Sequence, residues 1–399
     1  MVQDKTKVGL FLALFLVAFF FPIIGLFLSA VLYFIVKGKK STIILSVLLG
    51  ILVGYFAYNF IPLPTYDLVR HQHVVELYTR VHDFDDFATT YQLSDLEPIP
   101  QAYSFLISRT GDFNLLQFFP VSIGYAVLFY ILGDYRNKIG LRNSKFIPIF
   151  ILILFGQSTL YYFSGLYNYL AINLFALAFY LENFKSKKYP AYILYALTFL
   201  IHTSMALPIA VLLLYKSYND KLFRKIAIVG IILITFTLLL SPNLINNLIT
   251  SDNPIHSMTS AYFGNNERFA RLYSGVGLVI DVIKIILALW MCRLIWKDHK
   301  YDKIKLFMIL LAVVIVVLLP FSIVIIRFAS LLLFLSIPML MDAVKDNKKS
   351  AQLMTIVYLG IAILFSSYNI FQIYPHGYDG FIVNNLPKTL PELVAGDEK

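Results

Sequence analysis

The chain carries one cysteine, Cys292, and two tryptophans among 399 residues. A single thiol excludes an intramolecular disulfide and a cysteine-based metal cluster. Charge is scarce as well: Asp, Glu, Lys and Arg make up 14% of the residues, against about 25% in soluble domains. Hydrophobic residues reach 59% and the mean hydropathy is +0.74, so neither an ordinary soluble fold nor a disordered chain fits. No internal repeat, no phosphate-binding glycine loop and no separate soluble domain is visible, which leaves one multi-span domain over residues 1–399. What the chain does have, from end to end, is sequence suited to lipid.

A helix needs about 20 residues to cross a bilayer core of roughly 30 Å. Apolar stretches of that order cover residues 43–60, 113–133, 146–163, 165–183, 226–240, 276–296, 306–319, 323–341 and 353–367. Two more are too long for one span and too short for two full ones. Residues 8–36 are broken near Pro22 and Gly25, and residues 189–215 at His202 to Ser204 and at Pro208. Both have lysines at either end, which suggests two short helices meeting in a hairpin. The expected fold is all-α and polytopic, with eleven to thirteen transmembrane helices, some short or broken. No short apolar segment with a small-residue cleavage site opens the chain, so the first segment is expected to stay as an anchor.

A net charge of +10 in a soluble protein would suggest nucleic acid, but here the basic residues form small packets between apolar runs. Packets at 5–7, 37–40, 136–145, 185–188, 216–225, 293–305 and 345–349 hold 24 of the 33 Lys and Arg. If the two interrupted stretches are hairpins, all of these packets face one side, the cytoplasm, and the N-terminus lies there too. The nine remaining basic residues include six arginines: Arg70, Arg80, Arg109, Arg268, Arg271 and Arg327. Lysine thus dominates inside and arginine outside. The planar guanidinium suits two-point contact with phosphate or carboxylate, so the asymmetry points to an anionic ligand on the outer face.

Two outer segments can build a site. Residues 61–112 hold eight acids, three histidines and three arginines between bracketing prolines, and residues 241–275 add Arg268 and Arg271. The tail 368–399 is also expected outside. Helical spacing of Leu68, Val75, Leu77 and Tyr78 predicts an amphipathic interfacial helix over residues 66–78. On that helix Asp67 lies three and four residues before Arg70 and His71, so a base, a cation and an imidazole share one face, unless Asp67 only pairs with Arg70 on a wet surface. Glu76 and Tyr66 are further candidates to line the site. Arg80 and Arg109 read as surface residues. His202 sits at the turn of an apolar hairpin, where an ionisable group is either functional or capped by Thr203 or Ser204. Arg327, among aliphatics at the start of a span, must find an anion or snorkel out, and contact with substrate is expected. In His82-Asp83-Phe84-Asp85-Asp86 the carboxylates would suit magnesium or manganese, yet such a run reads first as a solvated loop. Tyr161, Tyr162, Tyr167 and Tyr169 sit at an outer turn, as membrane-belt rings or as platforms for a sugar.

Four short segments carry a resemblance: residues 64–71, Pro-Thr-Tyr-Asp-Leu-Val-Arg-His; Glu97-Pro98; residues 164–171, Ser-Gly-Leu-Tyr-Asn-Tyr-Leu-Ala; and Ile201-His202-Thr203-Ser204. In this order, over most of the chain, they resemble the EpsG family of Wzy-type polysaccharide polymerases. That family usually has an arginine where this chain has Tyr167, while Asn168 fits the pattern. The resemblance implies a glycosyltransferase of GT-C-like polymerase and ligase architecture in the bacterial cytoplasmic membrane. It would act outside on undecaprenyl-diphosphate-linked repeat units, joining a growing chain to the next unit and releasing undecaprenyl diphosphate, with no metal or other cofactor. Membrane lipid and the flippase and chain-length regulator of the same pathway are its expected partners, and nucleic acid is not. On this reading Arg70 and Arg327, with Arg268 or Arg271, hold the diphosphate. Asp67 or His202 is the base for an inverting attack, and Tyr66, His71, Glu76, Tyr167 and Asn168 line the sugar site. A ligase with another acceptor shares nearly every feature. A lipid-linked glycan transporter would favour repeated halves and midplane ions.

The sidedness is open to a direct check. In a chain whose Cys292 is replaced by serine, a cysteine at position 202 is expected to react with an impermeant thiol reagent from outside. One in the 345–349 loop is expected to react only after permeabilisation.

Overall fold

In lipid every backbone polar group must be satisfied within the chain, so long apolar runs become helices. The computed structural model describes residues 2–60, 62, 67–81, 97–155, 159–216, 275–294, 296, 298–317 and 322–373, and all regular structure among them is helical. The chain divides into two units, residues 1–204 with 344–399, and residues 205–343.

The first unit contains α1 (Val2–Phe20), α2 (Pro22–Ile35), α3 (Lys39–Tyr58), α4 (Asp67–Tyr78), α5 (Pro98–Ser108), α6 (Leu115–Ile139), α7 (Asn143–Phe155), α8 (Thr159–Ser164), α9 (Leu166–Lys185) and α10 (Lys188–Ile201). It is completed by α15 (Lys349–Ile373). The second contains α11 (Ala206–Lys216), α12 (Gly275–Leu294), α13 (Asp302–Val317) and α14 (Ser322–Lys345). Among the described residues, three helical stretches are long and apolar enough to cross a membrane: Lys39–Tyr58, Leu115–Ile139 and Arg327–Lys345. The chain is thus an all-α membrane protein.

At Phe21 and Pro22 the first apolar stretch breaks and doubles back. A Cβ on Gly25 would lie 3.1 Å from the Ala18 nitrogen, whereas seven residues of unbroken helix span about 10.5 Å. The second interrupted stretch breaks at His202, with a 3-10 turn at Thr203–Met205 before α11. Of residues 146–163, read from sequence as one span, 146–155 lie in α7 and 159–163 in α8, and 156–158 lie outside the described residues. The polar segment 61–112 holds a second helix, α5, that no apolar run announces; Pro98 occupies its first turn, where a missing N–H costs nothing. The expected span 226–240 and most of the second outer segment lie outside the described residues.

The closest packing of the first unit joins α3 to α6. Gly50 and Gly54 of α3 lie against α6, so that a Cβ on Gly54 would stand 2.8 Å from the Phe118 carbonyl and one on Gly50 2.7 Å from the Ala126 nitrogen. Small residues four apart permit this backbone approach, which dispersion rewards in a solvent as apolar as the side chains. Polar ties close the other end of the bundle. Arg136, buried, donates to the Tyr33 carbonyl (2.8 Å) and to that of Phe34, the last turn of α2, and stacks on Phe146. Lys138 donates to the Phe184 carbonyl at the end of α9 (2.9 Å), and Lys185 pairs with buried Asp134 (2.6 Å), which also accepts from Tyr180. Basic residues from these packets therefore satisfy helix-end carbonyls and one buried carboxylate.

Gly54→Ala is expected to cost ~1–3 kcal/mol, because neither the Phe118 carbonyl nor Ser122 can retreat without separating α3 from α6. Gly360→Ala, whose Cβ would meet nothing within 4 Å, is the control. Thermal unfolding in detergent is expected to show a lowered midpoint for the first and none for the second.

Candidate functional site

The site lies in the first unit, where α4, α5, α9 and the end of α10 meet. Its placement starts at Gln117, fully buried on α6. Its amide donates to the carbonyls of Ala57 (2.7 Å) and Phe60 (3.0 Å), closing the C-terminus of α3. Its oxygen accepts from Gln72 of α4 at 3.4 Å, which ties α4 to the bundle. Arg109 closes the C-terminal end of α4: it donates to the carbonyls of Tyr78 (2.9 Å) and Val81 while stacking on Phe105 at 4.4 Å. Arg109 is exposed, as the sequence reading has it, and also caps the helix.

Held at its middle and at its C-terminus, α4 buries Leu68, Val75 and Tyr78 and presents Asp67 in its first turn, where the helix dipole favours an anion. Asp67 Oδ1 pairs with Arg70 at 2.8 Å and Oδ2 faces His71 Nε2 at 3.5 Å, so the three residues do converge. Arg70 is 70% exposed and His71 only 19%, which places the guanidinium outward and the imidazole inward. The His71 ring meets Tyr167 edge to face, 4.9 Å between centroids. Glu76 does not join them. It is exposed on the opposite face of α4 and faces His73 at 3.5 Å, as nine residues of helix put it half a revolution from Asp67.

Tyr167, on the first turn of α9, is the hub. Its hydroxyl shares a 3.0 Å hydrogen bond with Ser104 of α5, and its ring stands edge-on to Tyr103 at 6.3 Å. Asp67 and Glu97 both lie within electrostatic reach of that hydroxyl. Tyr167 is buried, so it acts as a wall joining α4, α5 and α9 more than as an open sugar platform. Next to it Asn168 is buried as well, and its Oδ1 finds no hydrogen-bond partner among the described residues; neither does Ser204 Oγ, beside His202. Buried acceptors of this kind are the groups that ligand hydroxyls satisfy.

Glu97 is the residue that the sequence reading did not place in the site. It precedes α5, and its Oε1 receives the Thr203 backbone N–H (3.0 Å), the Thr203 hydroxyl (2.9 Å) and lies 3.1 Å from His202 Nδ1. Ser204 N–H also approaches Nδ1, at 3.3 Å, but one nitrogen cannot donate and accept at once. The shorter, charge-assisted contact to the carboxylate decides that Nδ1 donates to Glu97. Burial alone would raise the Glu97 carboxyl, but the hydrogen bond and charge of His202 and the two Thr203 donors outweigh it and hold it at about 2. A folded value below the ordinary 4.5 means this contribution to stability is complete above about pH 4.5 and is lost as pH falls toward 2. The sequence signal was the Glu97-Pro98 pair, one of the four segments that carry the resemblance, a hundred residues from the His202 segment it meets.

Arg327 belongs to the second unit, half-buried in the second turn of α14. One turn later Ser330 accepts from Lys284 of α12 at 3.4 Å, a lysine buried at mid-helix. Tyr66, Arg268, Arg271 and the acidic run 82–86 lie outside the described residues.

Comparison with curated proteins and with solved structures returned no match. The EpsG family profile matches residues 71–383, which include His71, the α9 start, His202 and Arg327. That match spans well over half of the 399 residues, and the chain therefore belongs to the EpsG family.

Proposed function

We propose that the protein is a polysaccharide polymerase of the cytoplasmic membrane. It transfers a growing glycan from undecaprenyl diphosphate to the next lipid-linked repeat unit at the outer face, with inversion and without a metal. The observation that carries this reading is the cluster at the α4, α5, α9 and α10 ends: two carboxylate–imidazole pairs, Asp67 with His71 and Glu97 with His202, around buried Tyr167. Such a cluster beside apolar helices suits a substrate whose lipid tail stays in the bilayer while its sugars reach water. Arg70, outward and anchored on Asp67, supplies a guanidinium for the diphosphate, and Arg327, Arg268 and Arg271 enter on the same chemistry. Positive charge fixed near the leaving group stabilises the developing diphosphate anion. Asp67 or His202 takes the acceptor proton, and Asn168 and Ser204 bind sugar hydroxyls.

Purified protein in liposomes, given undecaprenyl-diphosphate repeat units, is expected to lengthen chains and to release undecaprenyl diphosphate in step with each linkage, equally with and without EDTA. Arg327→Ala is expected to lower turnover by ~100-fold or more and Arg70→Ala, being more exposed, by ~10-fold. Folded protein that binds the lipid-linked unit but only transfers it to a different acceptor would replace the polymerase with a ligase; movement of lipid-linked units without a new linkage would replace it with a transporter.

A further inference from the structure

Resting on the polymerase reading, we infer that Glu97 is a positioning residue that turns His202 into the general base of the transfer, and that Asp67 is not that base. The geometry separates the two candidates. Asp67 spends one oxygen on Arg70 at 2.8 Å and turns the other to His71, so it orients the cation and the imidazole on α4. Glu97 instead gathers three donors on one oxygen: His202 Nδ1 at 3.1 Å and the backbone and hydroxyl of Thr203 at 3.0 and 2.9 Å. Both members of the pair are largely withdrawn from water, with 25% of the Glu97 and 11% of the His202 side chain exposed.

A carboxylate bonded to Nδ1 fixes the proton of a neutral imidazole on that nitrogen and puts the lone pair on Nε2. It also stabilises the imidazolium that forms when Nε2 takes a proton, which is what an orienting acid does for a catalytic histidine. The break in the helix is what makes this possible. His202 leaves α10 in an extended conformation, φ −153° and ψ 117°, and the Thr203 N–H, unpaired by the helix, turns to the same carboxylate. One acid thus sets the position of the backbone and the tautomer of the ring.

The step balances as a simple displacement. The acceptor hydroxyl gives its proton to His202 Nε2 while its oxygen bonds to the anomeric carbon of the growing chain. The bond from that carbon to the phosphate oxygen breaks, its electron pair leaves on undecaprenyl diphosphate, and the imidazolium returns its proton to water.

The test uses full-length protein in detergent or liposomes, with two readouts. In histidine-labelled wild type, nitrogen NMR is expected to show His202 in the Nδ1–H form when neutral, and Glu97→Gln, whose amide can donate to Nδ1, is expected to lose that form. In the polymerisation assay Glu97→Gln is expected to lower kcat by ~100-fold or more with KM changed by less than about threefold, the range of a disabled base. Thr203→Val removes one bond of the latch but not the tautomer control, and is expected to lower thermal stability while keeping kcat within about threefold. Folded Glu97→Gln with wild-type kcat, a wild-type His202 in the Nε2–H form, or equal kcat losses in Glu97→Gln and Thr203→Val would each overturn the inference. Wild type that shows the Nδ1–H form yet makes no polymer would overturn the polymerase reading and the base's role together, leaving only the geometry of the pair.

Discussion

The close approach of α3 and α6 is the contact on which the described part of the first unit depends. Two glycines four residues apart let backbone meet backbone, so that Gln117 on α6 reaches the last carbonyls of α3. In water those carbonyls would find solvent; within an apolar bundle they need a donor from the chain. Gln117 is that donor, and the oxygen at its other end takes Gln72 of α4. A side chain at position 54 would separate the helices, and the amide would fall short. The packing of two apolar helices thus helps decide where a polar helix stands.

From there the site is assembled by ends rather than by middles. Asp67, Arg70 and His71 come from the start of α4, Glu97 from the residue before α5, Tyr167 from the start of α9, and His202 from the residue after α10. Helix termini leave N–H and carbonyl groups unpaired, so polar side chains collect there both to satisfy them and to meet a ligand. Arg109 shows the first use, capping α4, and Glu97 takes the Thr203 N–H left over where α10 ends. At the opposite ends Arg136 and Lys138 satisfy helix-end carbonyls, and Lys185 pairs with the buried Asp134 carboxylate.

Tyr167 puts a neutral side chain at a position where the sequence resemblance leads one to expect an arginine. Where relatives are expected to carry a cation, this chain places a neutral ring within reach of Asp67 and Glu97, held by Ser104 and flanked by His71 and Tyr103. Each carboxylate then has its own partner, the Arg70 guanidinium in one case and the His202 imidazole in the other. The hydroxyl between them contributes a hydrogen bond instead of a charge.

Much of this was legible before any coordinates. Apolar runs and lysine packets determined an all-α membrane chain with broken stretches near residues 21 and 202, because hydropathy and proline act locally. Helical spacing determined α4 and the meeting of Asp67 with Arg70 and His71, because residues three and four apart share a face whatever surrounds them. The same periodicity, applied to Glu76, would have sent it to the far face. Only the tertiary structure decided that Arg109 is a cap, that α5 exists, and that Glu97 meets His202 across more than a hundred residues. Those outcomes depend on which helix ends lie together, and that is settled by packing between distant segments, where no local pattern in the chain points to the partner.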